Sequence, residues 1–156
     1  LDTGAFSTFG LPGGMIGDSL PAAIGDGLNG SFGQIAGSDS QGAATFEGMA
    51  SAAGFDGTSA YSPESYDAMA LVALAMQAAG STDPAAYKDR VMEVANAPGE
   101  KIFPGELAKG LELLAAGTDI DFEGATAVEL IGPGESAGRY REIEVRDGRN
   151  ETVGFR

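Results

Sequence analysis

Apolar residues run without a break from Ala68 to Met76, inside a stretch from Tyr66 to Thr82 (YDAMALVALAMQAAGST) that carries helix signals at both ends. A helix with apolar residues at every position around its axis is buried on nearly all sides. Pro63 stands just inside the predicted start, Ser62 is placed to accept from the first free amides, and Gly80 suits the left-handed turn that stops a helix. A membrane span needs roughly 20 such residues, so this run predicts a core helix.

Helical spacing recurs on both sides. Residues 40–53 place Phe46, Met49 and Ala53 on one face, with Gly54 as the stop. A second helix after the central one begins at Asp83-Pro84, an N-cap followed by proline, with Tyr87, Val91, Val94 and Ala95 as its stripe. A third starts near Pro104, turns Leu107, Leu111 and Leu114 inward, and ends at Gly117. Residues 1–37 are glycine-rich and read as short strands and loops around one short helix, capped by Asp18 or Ser19, with Pro21 in its first turn and Gly25 at its end. Phe32 and Ile35 fall in a strand from Gly30 to Ala36. After the third helix the period becomes that of β structure: Val128–Ile131, a turn at Gly132-Pro133-Gly134, a strand from Tyr140 to Val145, a hairpin signal at Asp147-Gly148, and a returning strand from Thr152 to Phe155. Residues 55–63 (FDGTSAYSP) have no sustained period and read as a linker. The alternation predicts an α/β chain.

Charge and composition narrow the chemistry. The net charge is -14, and it is uneven: residues 1–138 sum to -15, whereas residues 139–156, with five Arg and four acids, sum to +1. An acidic surface repels phosphate backbones and anionic lipid heads, which excludes nucleic acid as a partner and gives no reason for membrane insertion. With neither Cys nor His, the chain has no thiolate, no imidazole base, no disulfide and no nitrogen or sulfur ligands for a transition metal. No catalytic residue, metal site or cofactor is expected.

The remaining motifs are weak. Asp119-x-Asp121-x-Glu123-Gly124 has the opening spacing of a calcium loop, but Leu130 stands where the bidentate Glu is required, so a surface turn is the better reading. Gly27-x-x-Gly30-x-x-Gly33 matches no phosphate-binding fingerprint, and no Lys precedes residue 88. Glu142 and Glu144 alternate with Ile143 and Val145, which puts the two carboxylates on the solvent face of a strand rather than in an acid–base pair. Gly13-Gly14-Met15 remains as a candidate ligand loop.

In order along the chain, FGLPGGM, the glycine-spaced segment Gly27–Ser38, Ala52–Asp56, YDAxxxxxxAxxxAGS, GTDIDFEGATAV and a final strand ending in Asp147-Gly148 resemble the C-terminal part of periplasmic solute-binding proteins of the branched-chain amino acid ABC transporter type. The resemblance implies a fragment of a two-lobed type I periplasmic-binding fold, with helices on mainly parallel sheets and a C-terminal β-hairpin. By that likeness residues 1–58 belong to the C-terminal lobe, 59–65 to a hinge crossover, 66–140 to the N-terminal lobe, and 141–156 return toward the C-terminal lobe. It implies an extracytoplasmic protein that binds a small polar solute between two lobes and passes it to a membrane permease. The loop of Leu11, Gly13, Gly14 and Met15 would touch the solute once an upstream segment completes the cleft. Amino-acid-binding members place an acid in this loop to pair with the ligand's ammonium; here that position is Gly13, so either the acid comes from an upstream segment or the solute is not an α-amino acid, and an amide, a carboxylate or an aromatic acid then fits better than leucine. A structural or protein-interaction α/β domain, and the sensing domain of a receptor, are the alternatives.

Overall fold

The computed structural model describes residues 3–156. In chain order the elements are β1 (Gly10–Leu11), α1 (Ser19–Ile24), β2 (Phe32–Ala36), α2 (Gln41–Ala52), α3 (Ser62–Ala79), α4 (Pro84–Tyr87), α5 (Arg90–Ala95), β3 (Glu100–Ile102), α6 (Leu107–Ala115), β4 (Ile120–Phe122), β5 (Leu130–Gly132), β6 (Glu135–Ser136), β7 (Tyr140–Arg146) and β8 (Arg149–Phe155). They form two compact units, one reaching to Ser38 and resumed by Gly138–Arg156, the other spanning Asp39–Ala137.

The first unit is a four-stranded sheet in the order β1-β2-β7-β8. β1 and β2 are parallel, joined through α1, whereas β7 pairs antiparallel with both β2 and β8. Strand alternation sends Ile35, Ile143 and Val145 to one face, where they close on Leu11, Ile16 and Leu28. Ser31 is fully buried, and its hydroxyl accepts from the Phe9 amide at 3.2 Å, so the buried polar group is satisfied. The β7–β8 turn is made by Asp147 and Gly148, both left-handed at φ 49° and 67°, as a tight hairpin requires.

The second unit is organised around α3. Ala70, Leu71, Leu74 and Ala75 pack with Val94, Ala95, Ile102, Ile120 and Phe122, while Met69 is 71% exposed. The helix is therefore not buried on nearly all sides: Ala68, Met69 and Gln77 face solvent. Its stop is as expected, with Gly80 at φ 60°, but its start is not. Tyr61, at φ 62°, occupies the N-cap position, and Ser62 lies inside the helix with no side-chain cap.

The short strands β3, β4 and β6 escaped the sequence pattern. β3 and β4 pair in parallel, with Glu100 opposite Ile120 and Ile102 opposite Phe122. Residues 119–124 are thus not simply a surface turn, since Ile120 and Phe122 are each 1% exposed. Three residues are too few to establish a period, and the alternating acids drew attention to the exposed side only. The helix expected after Asp83 is two pieces, α4 and α5; the Asp83 side chain caps the first, accepting from Ala85 N at 2.9 Å.

α2 is capped by Ser40, whose hydroxyl accepts from Ala43 N at 3.1 Å. Its buried face is Gly42, Phe46 and Ala50, rather than Phe46, Met49 and Ala53. Phe46 and Ala50 pack on Ala125 and Tyr66, which groups α2 with the second unit, whereas the sequence placed it with residues 1–58.

The joint of the second unit is Asp67. Its carboxylate is buried in α3 and accepts from Ala125 N at 2.7 Å, from Thr126 N at 2.8 Å and from the Thr126 hydroxyl at 2.7 Å. Burial raises the Asp67 pKa, and the hydrogen bonds from Ala125 and Thr126 oppose that rise by favouring the ionised form. Gly124, left-handed at φ 56°, lies so close that a Cβ there would overlap the carboxylate. Gly42 of α2 in turn meets the Gly124 carbonyl with no room for a methyl group.

Asp67→Ala is expected to lower stability by on the order of 3 kcal/mol in urea denaturation, because it strands buried amide donors, and Asp67→Asn by about half of that, because one acceptor oxygen remains. The one-sided burial of α3 is checked by a second pair. Leu74→Ala should cost about 2–5 kcal/mol, whereas Met69→Lys should change stability by less than about 0.5 kcal/mol.

Candidate functional site

Ligand sites in open α/β sheets lie beyond the carboxyl ends of parallel strands. In the first unit that position belongs to the segment after β1, where Pro12 leads into a 3₁₀ turn at Gly13–Met15 before α1. Met15 N donates to the Pro12 carbonyl at 2.8 Å and Ile16 N to the Gly13 carbonyl at 3.2 Å, so the turn is closed by its own backbone.

The expected site residues separate by burial. Leu11 and Ile16 are in the core at 5% and 8% exposure, and they hold the loop down. Gly33 lies directly beneath, and a Cβ there would collide with the Leu11 carbonyl and the Ile16 side chain. Gly14 and Met15 face outward, Met15 at 47% exposure, and Gly13 is half-buried. A Cβ on Gly14 would meet nothing within 4 Å, so the space above the turn is open.

Beside the loop is an open depression of about 830 Å³ on the outer face of the sheet. Leu11 and Pro12 contribute to it together with Phe32, Gln34, Glu142, Glu144 and Val153; Gly13, Gly14 and Met15 do not. Phe32, 59% exposed, was read from the sequence only as a strand residue, and nothing in its pattern marks which face it takes.

The two glutamates of this face are engaged by arginines. Arg156 Nε lies 2.6 Å from Glu142, and Arg146 lies 2.7 Å from Glu144 and holds that carboxyl below its usual range. Gln34 also donates to Glu142, at 3.4 Å. The arrangement suits a solvated sheet face. In the second unit, Glu123 of the calcium-like sequence pairs with Lys101. Among the described residues no acidic cluster gathers around a position for a metal ion, and no helix is long and apolar enough to cross a membrane.

Tyr61 is a candidate that sequence reasoning missed. It holds a bulky side chain in the left-handed region at φ 62° and is 55% exposed. Strain of this kind concentrates at functional positions. The sequence shows only a tyrosine in a linker, because backbone conformation before a helix start leaves no periodic trace.

No family model matches the sequence, and no curated protein matches it. Among solved structures, the chain is similar to the leucine-binding protein LivK of Thermotoga maritima, with a TM-score of 0.70 and 15% identity. The match covers 99% of this chain and 38% of that one, so the chain spans well under half the neighbour's length. At that identity the likeness is one of fold: this is a mixed α/β chain that matches part of a type I periplasmic-binding fold, the fold of a solute-binding protein.

Proposed function

We propose that this chain is part of an extracytoplasmic solute-binding protein that delivers a small polar solute to the membrane permease of an ABC importer. The observation that carries the reading is the fold match over 99% of the chain. It is supported by the loop at the carboxyl end of β1, which is anchored by buried Leu11 and Ile16 and open above Gly14. Leu11, Gly13, Gly14 and Met15 are the proposed contact residues, with Leu11 positioning the turn and the other three lining it. The chain has no His and no Cys, so it offers neither an imidazole base nor a thiolate nucleophile, which agrees with binding rather than turnover.

The test is a thermal-shift screen of the natural gene product against amino acids, their amides and small carboxylates. A solute at 100 times its Kd should stabilise the protein by about 2.7 kcal/mol through mass action. Residues 1–156 assayed alone should respond less, if further chain completes the site. Gly14→Val should keep the unliganded melting temperature, because its side chain enters open space, and should abolish the solute-induced shift. A panel without a single responding solute would sink the proposal.

A further inference from the structure

We infer that Asn29 is a site of spontaneous chemical modification, at which the Gly30 nitrogen attacks the Asn29 side-chain amide, and that the tip of the β7–β8 hairpin keeps this reaction shut in the folded chain. The chemistry belongs to the first unit and is independent of any solute.

The sequence has three asparagines, and only Asn29 is followed by glycine; Ala97 and Glu151 follow the other two. A residue without a side chain leaves its nitrogen open to approach, and asparagine is among the thermally labile residue types. Both Asn29 and Gly30 are exposed, so base and water reach them. The Gly30 nitrogen, after losing its proton to base, forms a bond to Asn29 Cγ, and the side-chain nitrogen leaves as ammonia. Water then opens the cyclic imide on one side or the other. The products are aspartate and isoaspartate, the second with the main chain rerouted through Cβ and Cγ.

The folded unit holds each reacting group. Gly30 N donates to the Val145 carbonyl at 2.9 Å, so the proton that must leave is already engaged. Asn29 Oδ1 accepts from Gly148 N at 3.0 Å, and Nδ2 reaches toward Asp26 Oδ1 at 3.5 Å. Val145 and Gly148 both belong to the hairpin, so lifting its tip releases nucleophile and side chain together. Asn150 adds a tie at the base of β8, donating to the Gly17 carbonyl at 3.1 Å. A hydrogen-bonded amide gives up its proton only through local opening, so deamidation waits on the same opening as amide exchange.

Conversion would also be damaging. Ser31, two residues on, accepts from Val145 N at 2.8 Å through its carbonyl and from Phe9 N through its hydroxyl. An isoaspartate at position 29 inserts an extra main-chain atom directly ahead of these bonds, so residues 30 and 31 cannot both recover their pairing with Val145.

The test is to hold the natural gene product in mildly alkaline buffer, folded and in urea, and to follow Asn29 by peptide mass spectrometry and Gly30 by hydrogen exchange. In urea Asn29 should convert to aspartate and isoaspartate faster than Asn96 and Asn150 do. In the folded protein its conversion should be slower by on the order of tenfold or more and should track Gly30 exchange. Asn150→Ala, which frees β8 from Gly17, should raise both rates while the protein stays folded by its melting curve. Equal conversion of Asn29 in folded and unfolded protein would show that the hairpin protects nothing. No conversion in urea would show that Asn29 is not a site. A rise in either rate without the other in Asn150→Ala would break the link to hairpin opening, and each of these three results overturns the inference.

Discussion

A buried carboxylate that must be satisfied holds the second unit together. Asp67 sits in the first turns of α3 and gathers the amides of Ala125 and Thr126, which lie almost sixty residues further along the chain. Because an unpaired buried charge is so costly, the helix and the turn cannot separate without exposing or abandoning these donors. The neighbouring Tyr66 adds a parallel tie: its hydroxyl accepts from Gly105 N at 3.1 Å while its ring packs on Phe46, at a centroid distance of 5.2 Å. Two adjacent residues of α3 therefore fix three other segments of the unit.

Close backbone approach is the second constraint. Gly42 against the Gly124 carbonyl and Gly99 against the Ile120 backbone each bring elements nearer than any Cβ would permit, and Gly110 packs closely on the Leu74 side chain. The first unit uses the same device at Gly33 under the Leu11 carbonyl, and the consequence there reaches the candidate site. With Leu11 and Ile16 drawn into the core, the turn between them is held out from the sheet on short tethers. A binding loop needs this combination of fixed ends and an open crest, since rigidity in the support limits the ordering cost when a ligand arrives.

The exposed residues of the loop are Pro12, Gly14 and Met15, and the carboxylates of Glu142 and Glu144 on the adjoining sheet face pair with arginines in or beside the β7–β8 hairpin. All five arginines of residues 139–156 lie in or beside that hairpin, while the acidic excess belongs to the rest of the chain.

Much of this fold is legible along the chain because its signals are local. Gly80 and Gly117 end α3 and α6, Asp83-Pro84 starts α4, Asp147-Gly148 turns the hairpin, and the Ile143–Val145 alternation selects the inner face of β7; each depends on a few neighbouring residues. The Leu11–Met15 loop was singled out by its glycines and its likeness to a cleft loop, and its contact with a solute is a proposal. Residues 119–124 and the role of Asp67 did not. A three-residue strand acquires its identity from the partner across the ladder, as Ile120 and Phe122 do from Glu100 and Ile102. The buried face of α2, the exposure of Met69, the division at Ser38 and the fate of Asp67 likewise depend on which distant surface arrives to cover or pair them. Local conformational preference is written residue by residue, but burial and hydrogen-bond satisfaction are properties of pairs, and only the assembled chain determines the pairs.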